Sequence, residues 1–559
     1  MKKHFHSFNI HRPTAMNRRQ FLTRTGTAGL GLSGLASTIA NMTLMGQASA
    51  APSGGSMGDY KALICLFLSG GCDANNLLIP MNDHPGRANY DADRQFVAVP
   101  EADINAAGTV LNVKEVNGDS YPTNVYGLHP ECQFMANRFN SGQLAMIANC
   151  GTLAVPIAPG ISKSEYDDLT KPIQLFSHSD QVNEWFSSIP QNPFISGWAG
   201  RVADLFQKAP YITQGINENS LTSMLMTAAG TTDLLVAPGG SVPQYAVSRS
   251  GAVSFDGYGS GYGSGLSGGV YRSNDTGRRL NAFEGIMNYE HEHVIEQGHN
   301  NVVKSARDNE ETIGAATVEA DAIMTPVGVT APTGRHLEDI FLNVYNQRVG
   351  TTLTNTSGLP GDIRELLMIC KLIAGRKCLG NNRQIFFFNK GGFDNHADIN
   401  DNLPALLRDV DMMVECYMQA MQAIADAQPD FDINMATLFE GSDFNRTWTP
   451  NSSGTDHAWG THVFCCGGAV QDALAPGGSL SDLKIHGFFP ELAISGANDV
   501  PGNNVRGRWV PQVSTDQYYG RLAKWFGVSS TDLATIFPNL NNGFADPLTS
   551  AELDFLSLT

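Results

Sequence analysis

No aspartate or glutamate precedes Asp59, although the chain carries 54 acidic residues against 36 lysines and arginines. Other absences narrow the field further. The nine cysteines include no pair at Cys-x-x-Cys spacing, which argues against a zinc ribbon or a thioredoxin-type site, and nine are too few for a disulfide scaffold. No run beyond residue 50 reaches the ~18 apolar residues that a spanning helix needs, so no stable membrane anchor is expected. No Walker-type phosphate loop is present, and Gly70-Gly71 lacks the rest of a dinucleotide fingerprint. Positive charge is scarce as well. The formal charge is −18. The first 50 residues contribute six cations (Lys2, Lys3, Arg12, Arg18, Arg19, Arg24) and no anions, so the remainder carries −18 − 6 = −24. A surface that acidic repels phosphate backbones and anionic lipid, which makes nucleic acid an improbable partner.

The acid-free start has an order of its own. Asn17-Arg18-Arg19-Gln20-Phe21-Leu22 is followed by a soft run rich in Gly, Ala, Ser and Thr, and then by Ala48-Ser49-Ala50. Adjacent arginines before Phe-Leu read as a twin-arginine export signal, and the small-x-small triplet reads as its cleavage site. Residues 1–50 are therefore expected to be an address read by the twin-arginine translocase, with the working protein periplasmic or secreted.

Apolar runs closed by glycine mark the rest. Lys61–Leu68 stops at Ser69-Gly70-Gly71, and Leu144–Ala148 stops at Asn149-Cys150-Gly151. Gln384–Asn389 stops at Lys390-Gly391-Gly392, Asn434–Phe439 at Glu440-Gly441-Ser442, and Val463–Cys466 at Gly467-Gly468. Continuous apolar runs read as strands buried on both faces. Helical spacing is predicted over Pro130–Asn140, Asp362–Leu379, Leu403–Ala427 and, with a serine start, Ser514–Phe526. Alternation of this kind predicts an α/β fold, with a mostly parallel sheet between helices and function gathered beyond the strands' carboxyl ends. A stretch of Gly, Ser and Tyr at about 249–270 cannot build a core and reads as an insertion in a single domain spanning 51–559; a two-domain split is the alternative.

The polar residues at those strand ends are the chemical candidates. Asp73 follows the first strand. Asp394 and His396 follow the third, in Gly-Gly-Phe-Asp-Asn-His. Glu440, Ser442 and Asp443 end the fourth, and Asp456-His457 precede the fifth. A single Asp after glycine is more often a turn cap. Four strand ends bearing Asp, two with His beside it, favour a divalent-metal site with zinc as the expected ion. Ser177-His178-Ser179-Asp180 opens a helix after the second strand. Its serines suit an N-cap, and equally an oxyanion site or a nucleophile at the positive end of a helix. Ser177, His178 and Ser179 are the catalytic candidates. No glycines flank Ser177 at elbow spacing, so an α/β-hydrolase nucleophile turn is not indicated there.

Taken together, these motifs, with Leu128-His129-Pro130, Phe444-Asn445-Arg446-Thr447 and Gly454-Thr455-Asp456-His457-Ala458-Trp459-Gly460, resemble a bacterial family catalogued as domain of unknown function 1501. That family looks like a remote branch of the alkaline phosphatase and sulfatase superfamily. The resemblance implies that fold, with metals held at strand ends. It implies Asp73, Asp394, His396, Asp443 and His457 as ligands and Ser177 or Ser179 as nucleophile. It implies a small phosphate or sulfate ester as substrate, or else a silent scaffold serving a co-exported protein partner. Two departures stand out. The superfamily's Asp-x-x-x-His is here Asp394-x-His396. Phe444 stands where a ligating histidine is usual, which implies one impaired metal position or a site reshaped around Asp456-His457.

Overall fold

The computed structural model describes residues 60–193, 196–208, 223–227, 244–251, 266–267, 270–287, 313–380, 382–473, 483–502 and 505–558. The export signal at 1–50 and most of the glycine-rich stretch at 249–270 lie outside the described residues.

In chain order the elements that position the site begin with β1 (Lys61–Leu68), α1 (Arg87–Arg94), α2 (Gln133–Asn140), β2 (Leu144–Gly151), α3 (His178–Ser187) and α4 (Trp198–Lys208). Next come β3 (Ser223–Thr227), β4 (Gln244–Ala246), α5 (His336–Val349), α6 (Gly361–Ala374), β5 (Arg383–Lys390) and α7 (Ile399–Ala427). The chain closes with β6 (Ala436–Ser442), β7 (Thr461–Gly467), β8 (His486–Gly487), β9 (Val513–Ser514) and α8 (Thr515–Phe526). One nine-stranded sheet runs in the order β8-β2-β7-β6-β1-β5-β3-β4, with β9 also pairing with β2. Strands from both sides of the glycine-rich stretch share it. β1 pairs in parallel with β5 and β6, and β3 and β4 continue the parallel run. β7 runs antiparallel to both β6 and β2.

Period-two alternation divides the core between the two faces. Ile64, Leu66 and Leu68 of β1 join the cluster built by α2, α5, α6 and α7. Leu63, Cys65 and Phe67 join the cluster built by α3, α4 and α8. β1 is buried along almost its whole length, so each of its large side chains contributes about 1.5–3 kcal/mol relative to exposure.

Several boundaries differ from the sequence reading for identifiable reasons. β2 runs through Asn149-Cys150 to Gly151 instead of ending at Ala148. Asn149 adopts φ 53°, a left-handed conformation asparagine tolerates, where the β2–β7 register shifts between Thr461 and Val463. The helix expected over Asp362–Leu379 breaks at Gly375, where a Cβ would lie 2.3 Å from the Ala316 carbonyl oxygen. α8 follows the expected serine start: Ser514 accepts from the Gln517 N–H, and the Gln517 side chain returns a bond to the Ser514 N–H. All nine cysteines are free, and eight are buried, with Cys378 exposed. No helix among the described residues is long and apolar enough to cross a membrane.

Candidate metal centre

The carboxyl ends of β1, β5 and β6 open at one edge of the sheet. The antiparallel β7 starts at that same edge, which is why Asp456-His457, lying before it, meet residues lying after β5 and β6. The β1 loop reaches in through two glycines. Gly70 (φ 113°) and Gly71 (φ 78°) both hold left-handed backbone, and added Cβ atoms would lie 2.4 Å from the Asp394 nitrogen and 2.5 Å from the Phe444 ring.

Three imidazoles gather around one carboxylate oxygen. From Asp394 Oδ1, His396 Nε2 lies at 3.1 Å, His457 Nε2 at 3.4 Å and His178 Nε2 at 3.5 Å. His178, Asp394 and His457 each bring a ligand atom within 4.8 Å of the others. Each histidine is tied by its other nitrogen. His178 Nδ1 is 2.7 Å from Asp443 Oδ2, His396 Nδ1 is 3.1 Å from Asp456 Oδ1, and His457 Nδ1 is 2.7 Å from the Phe176 carbonyl oxygen. An acceptor at Nδ1 fixes the proton there and turns the Nε2 lone pair toward the centre, the outer-shell arrangement of metal-binding histidines. Asp443 is itself fixed by the Gly70 N–H, which donates to Oδ1 at 3.1 Å. Asp456 is paired with Arg506 and receives a bond from Asn451 Nδ2 at 3.2 Å.

The residues before α3 are bent to make this fit. Gln174 (φ 50°) and Phe176 (φ 73°) both hold left-handed backbone without being glycine, at a cost of about 1 kcal/mol or more each. The turn at Phe176 aims its carbonyl at His457, and α3 then starts with His178 facing Asp443 and Asp394. The Phe444 ring lies 4.8 Å from the His178 ring and 4.6 Å from the His457 ring, so it packs beneath two imidazoles.

The charges are arranged to match. Burial pushes the Asp394 carboxyl up, but the Arg446 hydrogen bond and charge, helped by His396 and His178, hold it below the usual carboxylate range. Arg446, fully buried, donates to Asp394 Oδ1 at 2.7 Å and to the Gly70 carbonyl at 3.2 Å. The Asp443 hydrogen bond raises the His178 pKa against the opposing effect of burial. Burial lowers that of His457, and the neighbouring Arg446, His178 and His396 charges lower it further. Burial pushes Asp456 up, but Arg506 and Asn451 outweigh it and bring it to about 2.

The structure brings Asp394, His396, Asp443, Asp456, His457 and His178 together in one network. Within it Asp443 and Asp456 touch histidine Nδ1 atoms and so orient rings. Asp73 shares none of these contacts: it is buried, and its Oδ2 accepts from Arg94 of α1 at 2.6 Å. Ser177 takes the N-cap position of α3, although its hydroxyl accepts no helix N–H and donates to Asp180 Oδ2 at 2.6 Å. Ser179 is exposed, with its hydroxyl 3.3 Å from both the Ser177 oxygen and Asp180 Oδ2. The sequence reading missed three contributions. His178 appeared there as a catalytic candidate, not among the candidate metal ligands. Arg446 sat unused in Phe444-Asn445-Arg446-Thr447. Arg506 carries no local signal at all.

An α/β protein whose mostly parallel sheet presents a histidine–carboxylate cluster at one edge is the class that fold and site define. Within it, residues 345–481 match a family described as "Protein of unknown function (DUF1501)". The match takes in Asp394, His396, Asp443, Asp456 and His457, and leaves Asp73 and Ser177–Ser179 outside. No curated protein and no solved structure matches the chain.

Proposed function

We propose that this protein is a metal-dependent hydrolase of small phosphate or sulfate esters, exported by the twin-arginine route and built on an alkaline-phosphatase-like plan. The observation that carries the reading is the convergence of imidazole Nε2 atoms on Asp394 Oδ1 with every Nδ1 already tied to an acceptor. Two features fit a cation there. His178 Nε2 is buried and has no hydrogen-bond partner among the described residues. His396 Nε2 and His457 Nε2 lie 2.9 Å apart, and with both protons at Nδ1 two lone pairs would face each other. A tetrahedral zinc site with ligands at about 2.0–2.1 Å places its donors about 3.3 Å apart, close to the separations around Asp394. Imidazole and carboxylate donors suit zinc, with His178, Asp394 and His457 as the ligand set and His396 beside it.

A divalent cation bound there would polarise an ester oxygen and acidify a hydroxyl. The chain supplies the rest. Ser177 Oγ attacks the phosphorus or sulfur, Asp180 Oδ2 takes its proton and passes it to the leaving alkoxide as that bond breaks. Water then attacks the seryl ester, giving a proton to Asp180, which returns it to Ser177 Oγ as the Oγ bond breaks and phosphate or sulfate is released. Arg446 keeps Asp394 ionised throughout, and Asp443 and Phe176 hold two of the imidazoles in place.

A second reading rests on Arg446. Its ion pair already offsets the charge of Asp394 without a cation, which fits a catalytically silent scaffold serving a co-exported partner. Metal analysis of protein purified from its native compartment separates the two, alongside His178→Ala and His457→Ala. The hydrolase reading expects stoichiometric metal in the wild type and loss in both variants. It also expects cleavage of an aryl phosphate or sulfate that falls by roughly a thousandfold or more in Ser177→Ala. Metal-free wild type that cleaves no ester gives the scaffold reading. Full activity in both Ser177→Ala and Ser179→Ala removes the serine from the mechanism.

A further inference from the structure

A second cavity lies away from the histidines, among the helices on the sheet face opposite α3 and α8. It has a volume of about 320 Å³ and lies between α5, α6, the helical segment 313–321 and the turn after β4. Four of its lining side chains are cations: Arg249, Arg335, Arg364 and Lys371. Two are carboxylates, Asp321 and Glu338.

The acids are already taken. Lys371 Nζ lies 2.7 Å from Asp321 and 2.6 Å from Glu338, while Arg335 Nη1 lies 3.2 Å from Asp321 and 2.7 Å from Glu338. Those four charges close on one another and sum to zero. Arg249 and Arg364 are left over. Among the described residues no carboxylate lies within 4.0 Å of either guanidinium. The one hydrogen bond from Arg364 to a described side chain is a long one, 3.4 Å to Ser250 Oγ. Glu365 feels the charge of Arg249 but does not line the cavity. The lining therefore carries +4 − 2 = +2. In a chain of net charge −18 this is a local reversal of sign.

We propose that this cavity binds a small dianion bearing a phosphate or sulfate group, through Arg249 and Arg364. Planar guanidinium forks match the oxygens of such a group, and a charge of −2 cancels the residual +2. The hydroxyls of Ser250, Thr317 and Thr356 line the same space as neutral donors. The volume falls at the small end of ligand sites, enough for a free oxyanion or a compact ester. The site is independent of the histidine cluster.

The test is calorimetric titration of chelator-treated protein with inorganic phosphate, with acetate as the monoanionic control. Chelation removes any cation from the histidine cluster, so binding there does not confuse the result. The proposal expects saturable phosphate binding, stronger than that of acetate. It expects binding to weaken about tenfold or more in the Arg249→Gln, Arg364→Gln double variant. The Arg249→Lys, Arg364→Lys variant, which keeps charge but loses the fork, should fall between. Both arginines are partly or fully exposed, and melting curves check that the fold is kept. No saturable binding by the wild type, or equal phosphate affinity in all three proteins, overturns the proposal.

Discussion

Glu184 sits on α3, the helix that carries His178 into the cluster, and its substitution gives a sharp test of how that helix is seated. The side chain is fully buried. Its Oε2 accepts from Thr152 Oγ1 at 3.0 Å and from Gln181 Nε2 at 2.6 Å, while Oε1 has no partner among the described residues. Burial is the main cause that pushes its pKa up to about 9. An unfolded glutamate titrates near ~4.3. Between those values the folded protein holds a proton that the unfolded chain has lost, so folding takes up a proton and stability falls as pH rises. The contribution is intact below about pH 4 and is lost progressively toward pH 9, at about 1.4 kcal/mol per pH unit. From pH 5.5 to pH 7.5 this amounts to about 3 kcal/mol. Glu184→Gln removes the titration. Its amide nitrogen would occupy the partnerless position at a cost of about 1–3 kcal/mol, but that cost does not depend on pH. Urea unfolding of wild type and variant at both pH values isolates the linkage. The stability difference between them should move by about 3 kcal/mol in favour of the variant as pH rises. A difference that stays constant to within about half a kcal/mol would mean that Glu184 is ionised in the folded state, and would refute the burial argument.

Other expectations follow from the same geometry. Gly71→Ala combines a left-handed φ of 78° with a Cβ 2.5 Å from the Phe444 ring, so it should destabilise by about 1–3 kcal/mol and lower metal content as Phe444 pushes His178 and His457 apart, read by melting and elemental analysis. Ser514→Ala removes the α8 capping box and should cost about 1 kcal/mol in denaturant unfolding, with no change in metal content. Replacing Arg18 and Arg19 with lysine should leave full-length precursor in the cytoplasm, and normal export on fractionation would sink the twin-arginine reading.

Five of the sheet's nine strands were legible because five apolar runs, each closed by glycine, leave few alternatives to buried strands; the four short or outer strands, β3, β4, β8 and β9, lie outside those runs. The mostly parallel arrangement was legible too, but the direction of one strand was not. Val463–Cys466 reads the same in a parallel or an antiparallel strand, and only the pairing of β7 with β2 and β6 shows that it runs backwards. That reversal makes the position of His457 intelligible, since a residue before an antiparallel strand stands where residues after parallel strands stand. Asp73 shows the converse. Its setting after β1 looks like that of Asp394 after β5, yet Arg94, 21 residues further on, claims it. A partner so distant leaves no trace in the local pattern. The grouping of His178 with Asp394 and His457 was concealed by the neighbours of His178: flanked by two serines at a helix start, this residue shares the pattern of an ordinary cap. Its role depends on a left-handed Phe176 and on Asp443, 265 residues away.

The charge count within the cluster bears directly on which molecule it could receive. Among the side chains hydrogen-bonded or ion-paired to one another there, Asp394, Asp443 and Asp456 contribute −3 and Arg446 and Arg506 contribute +2. With neutral histidines the sum is −1, which disfavours an anionic ester. A divalent cation changes it to +1, and the same pocket then attracts one. Without metal, protonation of one histidine brings the sum only to zero, and His178, raised by Asp443, is the ring best placed to take that proton. Anion attraction and metal occupancy are thus coupled through the two units of charge that the cation brings. The coupling is reciprocal, so an anionic ester or its released oxyanion should tighten metal binding by the factor by which metal tightens the anion. Zinc titrations with and without inorganic sulfate read this directly. Zinc affinity that is indifferent to sulfate would mean that no anion is drawn to the metal-loaded cluster, and would favour the scaffold over the hydrolase.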